Sequence, residues 1–121
     1  MKKDEDNVIL VKSKSFALRV IRLYRYLCDE RNEFVLSKQV LRSGTSIGAN
    51  AKEASQAQSK KDFLAKIHIA LKEASETEYW LELLHESNYI DDVAFESIYA
   101  ENKALLRILT SIIKSSKANG Q

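Results

Sequence analysis

No proline interrupts the 121 residues of this chain, and only three glycines do. With the strongest helix breaker absent and the next one scarce, a sequence rich in Ala, Leu, Ile, Lys and Glu has little local reason to leave the α-helix. The expected fold class is therefore all-α. Apolar residues recur at helical spacing in four segments, predicting helices over about 7–30, 37–57, 60–87 and 91–116 and a flexible tail over 117–121. The length suits a single domain spanning 1–121.

In the first segment Phe16, Val20, Leu23 and Leu27 form one stripe and Ala17, Ile21, Tyr24 and Cys28 its neighbour. Ser37 is the expected N-cap of the second helix, and Ser59 that of the third, with Asp62 placed to favour the positive helix end. The third core stripe reads Phe63, Ile67, Ala70, Ala74, Thr77, Leu81 and Leu84. The fourth helix starts at Asp91 or Asp92 and directs Ile98, Asn102, Leu105, Leu109 and Ile112 inward, flanked by Phe95, Leu106 and Ile113. Asn102 is the polar exception that sets register in such a stripe. Helices of roughly 30 to 40 Å joined by short loops pack antiparallel, as an up-down-up-down four-helix bundle.

The segment Gln39 to Glu53 carries two unlike faces. Val40, Leu41, Gly44, Ile47, Gly48, Ala51 and Ser55 make a small, apolar side on which Gly44 and Gly48 admit a neighbouring helix. Gln39, Arg42, Ser46, Asn50 and Glu53 make a polar ladder on the other. The ladder reads two ways: as hydrogen bonds across a subunit interface, or as groups lining a lumen or groove that binds a ligand. On the third helix, Ile69, Trp80 and Leu83 fall nearly opposite the core stripe. They are read as an oligomer interface, against incidental exposure.

Charge is segregated although the net charge is only +2. From Glu73 to Glu101 there are nine acidic residues and no Lys or Arg. Antiparallel folding gathers these, with Asp29, Glu30 and Glu33, at one end of the bundle. The other end collects Lys12, Lys14, Lys52, Lys60, Lys61, Lys66, Lys114 and Lys117. Helix dipoles account for Lys52, Lys114, Asp91 and Asp92, but not for Lys60 and Lys61 at a helix start. Arg19, Arg22 and Arg25, with Tyr26 beside them, add a basic strip on the first helix. These cations are either a solvated face or a nucleic-acid surface, and symmetric assembly would multiply the latter.

Catalytic chemistry is not legible. Glu82 and His85 have the Glu-x-x-His spacing of bundle di-iron sites, but the second copy is missing, since Ala65 precedes His68 by three residues. No Arg has the following His that a HEPN-type ribonuclease would want. Neither a nucleophile triad nor a phosphate-cradling glycine loop is present. The expectation is no enzyme, no metal, no cofactor and no small-molecule substrate. Cys28 stands alone, which predicts a reducing, cytoplasmic setting. Val8 to Val11 is too short to cross a bilayer and follows acidic rather than basic residues, which predicts neither signal peptide nor membrane anchor.

The run from Ser37 to Asn50, SKQVLRSGTSIGAN, followed by Glu53, Lys60-Lys61-Asp62-Phe63, Ala70 and Glu76, resembles the bacterial four-helix bundle proteins encoded in intervening sequences of 23S rRNA genes. Accessory variability proteins of diversity-generating retroelements are related to them. The resemblance runs from about Phe16 to Ile113. It implies a homopentameric barrel of up-down bundles without known catalytic activity, and, through the retroelement relatives, nucleic-acid binding by basic surfaces. Two functions follow as expectations: an oligomeric scaffold binding RNA or DNA non-specifically through Lys60, Lys61 and Lys66 assisted by Arg19, Arg22 and Arg25, or a protein-interaction scaffold with no nucleic-acid role.

Overall fold

In a computed structural model residues 4–118 are described, with side chains from residue 7 onward. Four helices account for nearly all of them: α1 (Asp4–Arg31), α2 (Leu36–Ala54), α3 (Lys60–Glu86) and α4 (Asp92–Ala118). Successive helices are antiparallel, as the cross-seam contacts require. Gly44 faces Val20 and Gly48 faces Ser13 between α2 and α1. Arg42 reaches Glu73 and Glu53 reaches Lys66 between α2 and α3. Asn102 meets Ala74, and Tyr99 meets Glu82, between α4 and α3. The ring closes where α4 returns to α1, and this seam is the most sparsely packed.

The core follows the expected stripes. Ile67, Ala70, Ala74, Thr77, Leu81 and Leu84 of α3 are buried, as are Ile98, Asn102, Leu105, Leu109, Ile112 and Ile113 of α4. Phe16, Val20 and Leu27 are buried on α1, joined one and two turns earlier by Ser13 and Ile9. On α2 the buried set is Ser37, Val40, Ser43, Gly44, Ile47, Ala51 and Ala54, so Leu41, Gly48 and Ser55 lie at the edge of the small face rather than in its middle. Three polar side chains enter mid-bundle. Thr77 donates to Ser43 Oγ at 2.9 Å, and Asn102 Nδ2 donates to the Ala74 carbonyl at 2.9 Å. The second of these pins α4 to α3 at one register.

The helix ends show which local rules operate. Ser59 caps α3 as expected, accepting from Asp62 N at 3.0 Å. Asp91 caps α4 by accepting from Ala94 N at 2.8 Å. Ser37, by contrast, is not an N-cap: α2 begins at Leu36, and Ser37 lies inside with its hydroxyl near Cys28 Sγ. Glu33 takes the capping role. Its carboxylate accepts from the backbone N–H of Val35, Leu36 and Ser37 at 3.2, 3.0 and 2.6 Å. One anion thus satisfies three orphan donors and sits at the positive helix end, which a neutral hydroxyl at residue 37 would not match. Asn32 and Asn88, both at positive φ, reverse the chain after α1 and α3. The second helix stops at Ala54, short of the expected 57, and the fourth continues through Lys117 to Ala118; residues 119–121 of the expected tail lie outside the described residues.

Candidate nucleic-acid interface

The antiparallel topology sets the first ends of α1 and α3 beside the last turns of α2 and α4. Lys12, Lys14, Lys52, Lys60, Lys61, Lys114 and Lys117 all lie exposed there. Asp29, Glu30, Glu86, Asp91 and Asp92 lie exposed at the opposite end. Lys66 is tied to the bundle: its Nζ pairs with Glu53 Oε1 at 2.8 Å, and the bond to that carboxylate holds its pKa above the ordinary lysine value. Its charge is therefore partly answered, which leaves Lys61 and the cations of α1 and α4 more open to an incoming phosphate.

The arginines expected to assist lie elsewhere. Arg19, Arg22 and Arg25 run along the middle and later half of α1, diagonally across the bundle from α3, so they do not join Lys60 and Lys61 in one patch on a single chain. Arg19 pairs with Glu101 across the α1–α4 seam. Arg22 and Arg25 are exposed and join no ion pair among the described residues. A different strip does continue the basic end. On the outer face of α4, Lys103, Arg107 and Lys114 line a shallow depression with Thr110 and Ser111. Lys103 and Arg107 stand on the helix flank rather than at an end of the bundle, and their spacing of four residues is the sequence signal that marks them. Lys103 also pairs with Glu78, which lowers the Glu78 pKa.

The polar ladder turns toward α3 of its own chain. Arg42 spans Glu73, at 3.2 Å, and Glu76, and Trp80 Nε1 donates to the same Glu76 carboxylate at 3.0 Å. Glu53 holds Lys66 one end further down. Ser46 and Asn50 bond back to the α2 carbonyls of Arg42 and Ser46, at 2.6 and 2.8 Å. Gln39 is exposed. Of the ladder, Arg42 and Glu53 thus bridge α2 to α3, and their charges are answered within the chain.

Nor do Ile69, Trp80 and Leu83 form one outward strip. Ile69 is exposed, but Leu83 is half-buried and Trp80 packs against the core. Because α3 has helices on two sides, its buried arc is wider than a wheel centred on Phe63 implies. A second apolar row stands out instead on α1, where Val8, Val11 and Leu18 are exposed at helical spacing. Val11 borders a hollow of about 480 Å³ with Leu10, Ala17, Thr45 and Ala49.

His85 Nε2 lies 2.7 Å from Asp92 Oδ1 and its ring stacks on Phe95. Among the described residues no three His, Cys, Asp or Glu side chains gather as metal ligands, and no helix is long and apolar enough to cross a membrane.

No curated protein matches the chain. Among solved structures it is similar to a protein with unknown function from the S23 ribosomal protein family of Bacteroides thetaiotaomicron VPI-5482. The two are 56% identical with a TM-score of 0.90, over 91% of this chain and 98% of that one. The family model described as 23S rRNA-intervening sequence protein matches residues 5–111. With nearly all of α1 to α4 inside that match, the chain belongs to the 23S rRNA-intervening sequence protein family.

Proposed function

We propose that this protein is a non-enzymatic, self-associating helical scaffold that binds RNA or DNA through its basic end with little sequence preference. The observation that carries the reading is the convergence of exposed lysines from all four helices on one end. Lys60 and Lys61 stand there at the start of α3, where the helix dipole disfavours cations. Local helix electrostatics does not produce that arrangement, whereas a phosphate backbone rewards it through counterion release. On the α4 strip Arg107 and Lys114 extend the same field along one flank, beside Lys103, whose charge is partly answered by Glu78. Self-association, as a pentamer in the family pattern, would present several copies at once and raise a weak contact to useful avidity. Its support on this chain is the exposed apolar row Val8, Val11 and Leu18, together with Ile69.

Binding of a fluorescent RNA duplex, measured at two salt concentrations, tests the reading. Each phosphate contact adds about 0.7 to 0.9 to the slope of log affinity against log salt. Lys60→Glu with Lys61→Glu should remove most of the affinity and flatten the slope while light scattering shows the assembly unchanged, since both side chains are exposed. Absence of binding near 50 mM salt, or binding indifferent to salt and to these changes, would favour a protein partner, and a wild type that sediments as the 13.8 kDa monomer would refute self-association.

A further inference from the structure

The α1–α4 seam is open in two places. Near the acidic end a hollow of about 410 Å³ has Leu23, Ile90, Ala94 and Ile98 as its floor, with Arg19, Arg22, Tyr26 and Asp91 on its rim, the Asp91 carboxylate being engaged as the cap of α4. Toward the basic end a second, of about 280 Å³, lies between Lys12, Ser15 and Phe16 of α1 and Glu101, Ala104 and Leu105 of α4. The Arg19–Glu101 bridge stands between them. The alanines explain the openness: Ala94 and Ala104 face α1 without enough side chain to fill the seam. Along α1 the two hollows are about 13 Å apart, from the rise of an α-helix. The α1 wall thus carries Lys12, Arg19 and Arg22, of which Arg19 is answered by Glu101, and Tyr26 presents an exposed ring at the far end, beside the apolar floor of the larger hollow.

We propose that this groove seats unpaired bases of a single-stranded nucleic acid whose backbone follows the cations of α1. The inference rests on the nucleic-acid reading above and sharpens it to single strands. Lys12 and Arg22, the groove's cations outside any ion pair among the described residues, face one unpaired carboxylate, Asp91, which already caps α4, and this balance favours a polyanion. The remaining features select one with detachable flat, apolar faces: two separated hollows, the larger with an apolar floor, and an exposed tyrosine ring beside Arg22. Sequence-tolerant single-strand binding combines such a cationic track with aromatic stacking. A duplex keeps its bases stacked inside and can use only the phosphate contacts. Lys12 also belongs to the basic end, so a strand held there runs directly into the groove.

Anisotropy titrations of the full chain with a 12-nucleotide oligouridine and with an RNA duplex of equal length test this. Tyr26→Ala should weaken the single strand about tenfold, the scale of one lost stacking contact, and leave the duplex unchanged. Arg22→Gln should weaken the single strand too, whereas Lys60→Glu with Lys61→Glu should weaken both. An oligonucleotide carrying 4-thiouridine should cross-link to the tryptic peptide Tyr26–Arg31. If both nucleic acids bind and Tyr26→Ala changes neither, or cross-links fall only on the lysines of α3, the groove proposal is overturned while the basic-end reading stands. If neither binds, both fall. Polyglutamate displacing the oligouridine in a Tyr26-dependent way would also overturn it, in favour of an acidic polypeptide.

Discussion

Gly44→Ala is the substitution for which the geometry and the intrinsic propensity give opposite answers. In an exposed helix interior, replacing Gly by Ala stabilises by about 1 kcal/mol. Gly44 is buried, however, and a Cβ there would lie 2.8 and 2.9 Å from the two methyls of Val20 and 3.3 Å from its Cβ. Against an optimum of about 3.5 to 4.0 Å between carbons, both methyls are too close at once. Val20 is fully buried and, being β-branched in a helix, has one accessible rotamer, so α1 and α2 must separate to relieve the contact. Overpacking of this kind costs about 1 to 3 kcal/mol, and after the propensity gain a net loss of about 1 kcal/mol remains.

At fixed chain concentration Gly44→Ala should lower the melting temperature by roughly 3 to 6 °C. The same change in a Val20→Ala background should raise it, since the clash is gone and the new methyl fills space the valine vacated. Gly48 calibrates the scale. Its Cβ would meet Ser13 Oγ at 3.2 Å and the Ser13 carbonyl at 3.4 Å, contacts a hydroxyl rotation largely relieves. Gly48→Ala should be close to neutral, and Gly48→Leu should cost about 1 to 3 kcal/mol. A higher melting temperature for Gly44→Ala with Val20 in place would refute the close approach of α1 and α2.

Glu33→Ala strips the start of α2 of its acceptor for three N–H groups and should destabilise by about 1 to 2 kcal/mol, read by urea denaturation; Glu33→Gln should recover only part, lacking the charge. Glu78, with its pKa lowered chiefly by the bond to Lys103, binds its proton less readily folded than unfolded. The stability it contributes is therefore present above the ordinary carboxylate value and lost as pH falls through the depressed one, so melting temperature should drop with acidification below about pH 4.5, and less steeply in Glu78→Gln.

The fold was legible because its determinants are one-dimensional. A helix with a single stripe of apolar residues announces its buried face whatever its neighbours are, which is why every residue from Ile98 to Ile112 on the expected α4 stripe is buried, Asn102 included. The start of α2 was not legible in the same way. Ser37 has the right residue type for a cap, but Glu33 reaches the same donors only because Asn32, at positive φ, turns the chain back toward the helix. Composition at one position carries no information about that turn.

Surface residues depend on which helix faces which, and there the wheel fails in a predictable direction. Trp80 lies far from Phe63 around α3 and reads as outward, yet α2 covers that flank, and Arg42 brings Glu76 to the indole N–H. The ladder of α2 and the acidic run of α3 were both visible as patterns. They are two halves of one seam, joined where the antiparallel register sets Arg42 opposite Glu73 and Glu76, and Glu53 opposite Lys66. The same register removes part of the acidic block from the surface charge, since Glu73, Glu76 and Glu78 each meet a cation. Besides charges at the two ends, the exposed cations that join no ion pair among the described residues include Arg22 and Arg25 of α1, Lys72 of α3 and Arg107 of α4. Folding therefore answers Glu73, Glu76 and Glu78 in the middle of the acidic block and leaves these cations, with the lysines of the basic end, as charges open to a partner.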